Sequence, residues 1–333
     1  MEAIATATIT CSNPECRVAE TGKCIEGLEL ASCPRYGRAP EIVEEEDHDP
    51  EQGDGTLLPS ADALPIGDAD EVLAIAPGRV IAVVGPNDAG KTSLLAGIYD
   101  LFQVGPVGDI AFSRSRTLHG FELVCHDARS ESRRGTPHSV RTSLGEVKFY
   151  HIEVAFLGDG KRGELLIADR AGEEYRDILS DVSQALLLPE IARADTITLL
   201  VDGAQLGDTG LRHNVRNDTI MMVQALRDSG ACRPSQRLVL VLTKLDQVLR
   251  DEEDERTRKF FAALVEAIRT RYSDVFTEIL DFSVAASPKS TTLTRGEGLP
   301  ALLAAWLKPS PSIGGASPQR TVQSRLFGQL RPE

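Results

Sequence analysis

The sequence predicts an α/β protein built on an open, mostly parallel sheet with helices on both faces. Short apolar runs rich in Val, Ile and Leu alternate along the chain with segments of helical period. Four of these runs are continuous, as is typical of parallel strands buried on both faces. With 333 residues, 41% of them hydrophobic, the chain can form a substantial core without disulfides. Because ligands of such sheets bind at the carboxyl ends of the strands, we expect the functional residues there.

Six apolar runs are the predicted strands of this sheet. In chain order they cover residues 79–84, 149–156, 164–169, 196–202, 237–243 and 276–284. Segments of helical period lie between them, for example TSLLAGIYDLF after the first run and ERTRKFFAALVEAIRTRY before the last. This alternation of strand and helix implies mainly parallel pairing.

Composition divides the chain into four predicted parts. Residues 1–40 form a small cysteine-containing module, and 41–66 an acidic linker of Pro, Gly and carboxylates without hydrophobic period. Residues 67–308 form the α/β domain, with an insertion over 103–141, and 309–333 a flexible tail.

The negative charge of the chain is concentrated in one short segment. The net charge is −14, and residues 41–76 contain 12 acidic residues but no Lys or Arg. Such a segment repels phosphate backbones and anionic lipids, which argues against nucleic-acid and membrane partners. Its simplest interpretation is a solvated spacer. No run approaches the length of a membrane-spanning helix, and the N-terminus lacks the basic start of a signal peptide, so we expect a cytoplasmic protein.

Four of the six cysteines lie within 23 residues of the N-terminal module. In a reducing compartment such a cluster favours a four-thiolate metal site, and structural zinc is the first candidate. An iron–sulfur cluster, or thiols that are reduced or otherwise paired, are the alternatives, because the spacing lacks C-x-x-C pairs. The predicted ligands are Cys11, Cys16, Cys24 and Cys33. We expect Cys125 and Cys232 to be ordinary buried or half-buried thiols.

A phosphate-binding loop follows the first predicted strand. Residues 85–92, GPNDAGKT, match G-x-x-x-x-G-K-[ST] and open a helix, which is the context that this motif requires. The two glycines allow backbone amides to point inward, Lys91 would reach the β- and γ-phosphates, and Thr92 would bind Mg²⁺. The predicted nucleotide-binding residues of this loop are Gly85, Asn87, Asp88, Ala89, Gly90, Lys91, Thr92 and Ser93.

Two other strand ends indicate which triphosphate binds. The third run ends in D-x-x-G, in which Asp169 is a candidate Mg²⁺ ligand and the amide of Gly172 can approach a γ-phosphate. The fifth run is followed by TKLD, in which Lys244 can lie along a purine ring. Asp246 can accept two hydrogen bonds from guanine, whereas adenine has no such donor pair. The alternative is that TKLD is only a surface turn.

These motifs resemble, in their expected order over residues 77–308, those of Ras-like P-loop GTPases of the TRAFAC class. They are GPNDAGKT, DRAGEE, TKLD and a loose SVAAS after the sixth strand. The resemblance implies a switch that binds GTP or GDP with Mg²⁺, and a switch-I threonine that binds the ion when the γ-phosphate is present. Thr142 is the first candidate for that threonine and Thr136 the second. The backbone amide of Ala285 or Ala286 would read guanine O6.

Three longer segments look like the bacterial double-GTPase families. They are CSNPECRVAETGKCIEGLELASCP, SRTLHGFELVCHDARSES and RAGEEYR. Those families are associated with predicted conflict or defence systems and are encoded beside a second GTPase. The resemblance therefore implies a partner GTPase or another effector protein.

Three departures from the Ras-like pattern affect the expected chemistry. Glu173 stands where Ras-like enzymes have the water-orienting Gln, and an ionised carboxylate cannot donate a hydrogen bond and repels the γ-phosphate. Thr243 replaces the Asn of N-K-x-D, which weakens bracing of the phosphate loop. Asn87 crowds the position where an external arginine would enter. The predicted catalytic residues are Lys91, Gly172 and Glu173. Because of the three departures, we expect GTP hydrolysis to be slow.

The insertion and its flanks carry six arginines near the expected switch. These side chains could supply an arginine finger in cis or an effector surface, but solvated charge is the simpler interpretation. They are Arg114, Arg116, Arg129, Arg133, Arg134 and Arg141.

The leading hypothesis is a guanine-nucleotide switch with slow GTP hydrolysis. An ABC-like ATPase is an alternative, because its loop is similar, but the LSGGQ signature is absent and Arg170, rather than an acid, follows Asp169. The other alternative is a nucleotide-locked adaptor that does not hydrolyse GTP.

Overall fold

The seven-stranded sheet and its helices are seen in a computed structural model of the chain. The model describes residues 18, 29–33, 36, 61–76, 78–128, 145–250, 254–286 and 293–309. The chain divides into two units, Met1–Leu58 and Pro59–Glu333. In the first unit, the described residues include one turn of 3₁₀-helix, Leu30–Ser32.

Several residues singled out from the sequence lie outside the described ranges. Of the predicted zinc ligands only Cys33 is described, and its side chain is half-buried. The others lie outside, as do both candidate switch-I threonines and most of the C-terminal tail: Cys11, Cys16, Cys24, Thr136, Thr142 and residues 310–333. The predictions for these residues remain predictions.

The second unit contains a single mostly parallel sheet in its described residues, which confirms the predicted fold class. The strands are β1 Gly78–Val84, β2 Ile110–Arg114, β3 Lys148–Phe156, β4 Arg162–Asp169, β5 Thr196–Asp202, β6 Arg237–Thr243 and β7 Glu278–Ser283. Their spatial order is β2-β3-β4-β1-β5-β6-β7. Five neighbouring strands pair in parallel: β4, β1, β5, β6 and β7. β3 is antiparallel to β4, and β2 is antiparallel to β3.

The six predicted strands are all present, but β2 was not predicted. It lies at the edge of the sheet, within the insertion, and pairs only with β3. It has five residues of mixed polarity, IAFSR, of which only Ile110 is fully buried. An edge strand of this kind lacks the continuous apolar run that marks a strand buried on both faces.

Helices cover both faces of the sheet. They are α1 Ile66–Ile75, α2 Lys91–Val104, α3 Leu118–Ala128, α4 Gly172–Ser180, α5 Pro189–Arg193, α6 Gly203–Gly207, α7 Arg212–Asp228, α8 Leu245–Val248, α9 Asp254–Tyr272 and α10 Leu299–Leu307. A 3₁₀-helix, Val182–Leu187, joins α4 to α5. None of the helices in the described part of the chain is both long enough and apolar enough to span a bilayer.

The position of β1 in the middle of the sheet explains why residues 80–84 are continuously apolar. Ile81 and Val83 face the core formed with α2, α3 and α10. Ala82 and Val84 face the opposite core, formed with α4, α7 and α9. Because alternate side chains of a strand point to opposite faces, both faces of β1 are buried from residue 80 to residue 84, and these five positions are all apolar. The two cysteines outside the N-terminal cluster also have the predicted environments, because Cys125 is buried and Cys232 is half-buried.

The last helix is fastened to the sheet by two buried polar contacts. The indole N–H of the fully buried Trp306 donates to Thr198 Oγ1 on β5 at 2.9 Å. The guanidinium of Arg237, on β6, donates to the carbonyl of Ala305 at 3.0 Å and pairs with Glu278 at 2.9 Å. These contacts hold α10 against the parallel strands whose ends carry the predicted motifs.

The contact between Trp306 and Thr198 predicts a specific loss of stability. In Thr198→Val the buried indole N–H loses its acceptor, which should lower the free energy of unfolding by about 1–2 kcal/mol. Urea unfolding followed by the fluorescence of Trp306, the single tryptophan, measures this change.

Thr196→Val is the matched control on the same strand. Thr196 is also buried, but its hydroxyl has no hydrogen-bond partner among the described residues. This change should therefore be neutral or stabilising. Equal effects of the two substitutions would contradict the importance of the indole contact.

Candidate functional site

The predicted site residues that the structure describes lie at the carboxyl ends of the parallel strands. The loop 85–92 connects β1 to α2, and Asp169 ends β4, the neighbour of β1. Thr243 ends β6, with Lys244 and Asp246 directly after it. Parallel pairing brings these ends to one edge of the sheet, so motifs far apart in sequence become neighbours.

The side chain of Lys91 bridges the phosphate loop. Its ammonium donates to the carbonyls of Gly85 at 2.9 Å and Pro86 at 3.0 Å. Gly90, the residue before α2, has φ of 96°, a left-handed conformation that glycine adopts without strain. The loop therefore curls around Lys91 at the N-terminus of α2, where the helix dipole favours an anion.

Lys91 is buried among carboxylates. Burial lowers the pKa of Lys91, and the negative charges of Asp169, Glu173 and Asp88 partly oppose that effect by raising it. Lys91 as a whole residue is only 7% exposed. A buried cation with few water contacts interacts strongly with any nearby anion, which is what phosphate binding requires.

Gly172 lies directly on the phosphate loop. A Cβ atom at Gly172 would lie 2.5 Å from Asn87 N and 2.7 Å from Lys91 Nζ, so no larger residue fits without a shift of the loop. The next residue is also in contact, because the side-chain amide of Asn87 donates to Glu173 Oε1. The structure thus brings together two motifs whose contacting residues, Asn87 and Glu173, are 86 residues apart in sequence.

The oxygen atoms near this loop fit a magnesium ion. Asp169 is only 2% exposed and supplies a carboxylate, and Thr92, in the first turn of α2, supplies a hydroxyl. Magnesium prefers oxygen ligands and usually takes one or two carboxylates together with phosphate oxygens and water. Within the described ranges no group of three or more His, Cys, Asp or Glu side chains could hold a metal ion, so the protein alone provides no complete cage.

The TKLD segment, residues 243–246, is called the base-reading motif after its predicted role, and its polar side chains have partners within the protein. Lys244, which has φ of 54°, donates to Asp202 Oδ2 at 2.7 Å. Asp246 is 3% exposed, and Arg250 donates to its Oδ2 at 2.9 Å. The hydroxyl of Thr243 donates to the carbonyl of Val201 at 3.3 Å. Asp246 therefore accepts a hydrogen bond from a planar cationic group. The N–H edge of guanine is a similar planar donor.

The amide of Ala285 has a partner within the protein. It donates to the carbonyl of Glu297 at 3.0 Å, and the amide of Gly296 donates to the carbonyl of Ala285 at 3.0 Å. This pair of bonds joins the loop after β7 to the turn before α10. Of the two alanines considered from the sequence, Ala286 is the one whose amide is not used in this bridge.

Arg114, one of the six arginines noted in the insertion, is used in the sheet. It lies in β2, and its guanidinium pairs with Glu153 on β3 at 2.6 Å. Burial acts to raise the pKa of Glu153, but hydrogen bonds from Ser113 and Arg114 outweigh it and lower the pKa to about 2. Arg114 therefore fastens the edge strand to the sheet. Four of the other arginines, from Arg129 to Arg141, lie outside the described residues.

Three charged partners of the site were not found from the sequence. Asp202 could have been suspected, because it ends an apolar run as Asp169 does. Arg250 lies four residues after Asp246, the spacing at which helical side chains meet. Glu190, which pairs with Arg170, carries no local signal, because its burial follows from how α5 packs.

No curated protein sequence matches the chain. Among solved structures, the chain is similar to the signal recognition particle receptor SRβ–GTP/SRX complex of Chaetomium thermophilum, with 15% identity over 70% of this chain and 97% of that chain and a TM-score of 0.40.

Two further structures show weaker similarity. The GTP-bound Ski7 GTPase-like domain of S. cerevisiae has 15% identity over 64% of this chain and 44% of that chain, with a TM-score of 0.36. The GDP-bound Roco2 RocCORdC structure of Methanosarcina barkeri has 16% identity over 76% and 52%, with a TM-score of 0.33. The match thus spans about half of the Ski7 and Roco2 chains.

A family model gives the assignment. The model described as Double-GTPase 2 matches residues 79–307, which begin within β1 and end with α10. The matched residues contain the phosphate loop, the D-x-x-G segment and the base-reading motif whose positions are described above. With more than half of its length matched, the chain belongs to the Double-GTPase 2 family.

Proposed function

We propose that this protein is a guanine-nucleotide switch that binds GTP and GDP with Mg²⁺ and hydrolyses GTP slowly. The observation that carries the proposal is the contact of Gly172 and Glu173 with the phosphate loop beside Lys91. This contact lies where a γ-phosphate bound by the loop would be sensed. Membership of the Double-GTPase 2 family supports the same function.

Residues 85–93 would bind the phosphates. Backbone amides at the start of α2 and the ammonium of Lys91 supply positive charge, and burial of Lys91 makes each contact stronger than it would be in water. Thr92 and Asp169 would hold Mg²⁺, together with a threonine such as Thr142, and the bound ion would help to neutralise charge on the phosphates.

The base would be read at the ends of β6 and β7. Asp246 is buried and already accepts a hydrogen bond from Arg250, so guanine would replace or rearrange that donor. Lys244 would lie along the purine ring while Asp202 fixes its ammonium. We assign the contact with guanine O6 to the amide of Ala286 rather than Ala285, because Ala285 donates to Glu297.

Hydrolysis would proceed by in-line attack of water on the γ-phosphate. Lys91 stabilises the charge that develops on the phosphate oxygens, and the amide of Gly172 donates to one of them. Glu173 can accept a proton from the attacking water but cannot donate to the phosphate, and its charge repels the incoming γ-phosphate. Because Asn87 donates to Glu173, the carboxylate is held beside the loop, which accounts for a slow rate.

A non-hydrolysing adaptor is the second candidate function. The hydrogen bond from Asn87 occupies an oxygen of Glu173 and crowds the entry side of the loop. If that bond persists with GTP bound, water would lack an oriented base. The ABC-like ATPase does not fit membership of a GTPase family.

The biological setting follows only from the resemblance to double-GTPase families. We propose that the switch acts with a second GTPase or an effector protein in a bacterial conflict or defence system. We also propose that Cys11, Cys16, Cys24 and Cys33 bind structural zinc, which requires reduced thiols and therefore suits the cytoplasm. Elemental analysis of the purified protein tests the zinc proposal.

Asp246→Asn should change the preferred base. The amide donates where the carboxylate accepts, so affinity for GDP should fall about 100-fold while xanthosine diphosphate, which accepts there, should bind. Calorimetric titration with both diphosphates measures the change. Asp228→Asn makes the same substitution at an exposed aspartate that pairs with Arg227, and it is the control. An unchanged base preference in Asp246→Asn would refute the assignment of Asp246.

Glu173→Gln should speed hydrolysis. Glutamine can donate a hydrogen bond and carries no charge, so we expect roughly a tenfold higher single-turnover rate and tighter binding of GTP relative to GDP. Glu266→Gln, on the exposed face of α9, should change neither quantity. Complete loss of hydrolysis in Glu173→Gln would show instead that the carboxylate is an essential base.

A further inference from the structure

A buried arginine joins the D-x-x-G segment to helix α5. Arg170 directly follows Asp169, and its side chain is only 5% exposed. Its Nε and Nη2 atoms donate to the two carboxylate oxygens of Glu190, at 2.6 Å and 3.2 Å. Glu190 is completely buried. The pair is therefore bidentate, the geometry that most strongly fixes the orientation of a guanidinium.

The same guanidinium holds the start of helix α4. Its Nη1 atom donates to Glu174 Oε2, and Glu174 Oε1 accepts the backbone N–H of Gly145 at 3.0 Å. The hydroxyl of Tyr175, also buried, donates to Glu190 Oε1 at 3.3 Å. Gly172 and Glu173, the first two residues of α4, form a turn that is thus anchored on both sides. Arg170 lies before this turn, and Glu174 and Tyr175 follow it.

The charges in this cluster are kept by their mutual contacts. Burial acts to lower the pKa of Arg170, but the hydrogen bonds with Glu190 and Glu174 outweigh it and raise the pKa. Burial also raises the pKa of Tyr175, which keeps the phenol protonated as a donor. A protein can be equally stable when apolar residues of the same volume replace a buried ion pair. The pair of Arg170 and Glu190 is therefore better evidence of a fixed geometry than of a gain in stability.

The anchored turn contacts the phosphate loop. A Cβ on Gly172 would lie within 2.7 Å of Lys91 Nζ, so a small displacement of the turn changes the space beside that ammonium. In the proposed switch the amide of Gly172 contacts the γ-phosphate, which GTP has and GDP lacks. A turn that is already fixed loses less conformational entropy when it makes this contact.

We propose that Arg170 is a positioning residue of the nucleotide site. Together with Glu190 and Glu174 it holds Gly172 and Glu173 against the phosphate loop and thereby favours GTP over GDP. This proposal rests on the proposed function for its nucleotide, but its structural part, the fixing of the turn, is independent of any ligand.

Two variants separate positioning from stability. Arg170→Met combined with Glu190→Gln removes both fully buried charges and keeps an acceptor for Tyr175. Glu174 loses its contact with Arg170, but its side chain is 19% exposed and can be solvated. Glu174→Gln weakens only the contact with Arg170, because its amide oxygen can still accept from Gly145. The control is Glu255→Gln, which removes an exposed pair with Lys259 at 2.8 Å, also four residues apart.

The affinities for GTP and GDP, measured by calorimetry, test the proposal. We expect the ratio of GTP to GDP affinity to fall roughly tenfold in the double variant and roughly threefold in Glu174→Gln, with GDP affinity unchanged. The control should keep the ratio of the native protein. A merely structural role would lower the unfolding temperature but leave the ratio unchanged, and that result would overturn the proposal.

Hydrogen exchange without nucleotide tests the structural part directly. The amides of residues 172–176 should exchange roughly tenfold faster in both variants than in the native protein and the control. If the double variant does not fold, Glu174→Gln decides alone. If the native protein binds neither nucleotide, the proposed function fails, and unchanged exchange would then also overturn the positioning role of Arg170.

Discussion

The close approach of Gly172 to the phosphate loop is the constraint on which the rest of the site depends. β1 and β4 are adjacent and parallel, with Ala82 opposite Ala168, so the segments that follow them must meet at the same edge of the sheet. The space left between them admits no side chain at position 172. As a consequence, Lys91 lies among the carboxylates of Asp169, Glu173 and Asp88 and forms the charged centre of the site.

Charged side chains that follow β4 and β6 are each held by a charged partner within the protein. Arg170 after β4 binds Glu190, Lys244 after β6 binds Asp202 at the end of β5, and Asp246 binds Arg250. Buried charges require such partners, because an isolated ion in the interior is strongly unfavourable. Contacts within the protein therefore hold these charged side chains, and nucleotide binding would exchange some of those contacts.

The sequence was sufficient for the positions of the motifs but not for their partners. Continuous apolar runs mark β1, β4, β5 and β6, so the residues that follow them could be assigned to one edge of a parallel sheet. The edge strand β2 has no such run and was missed. The pair of Arg170 and Glu190 could not be predicted, because it depends on the packing of α5 beside β4, which no local pattern encodes. The roles of Thr142 and the N-terminal cysteines remain predictions from sequence.

We propose above all that residues 85–92 bind a guanine nucleotide with Mg²⁺. The most direct test is a calorimetric titration of the purified protein with GTP and with ATP in the presence of Mg²⁺, followed by competition between the two. We expect that GTP binds and that excess ATP does not displace it. Tight binding of ATP that GTP fails to displace would contradict the account.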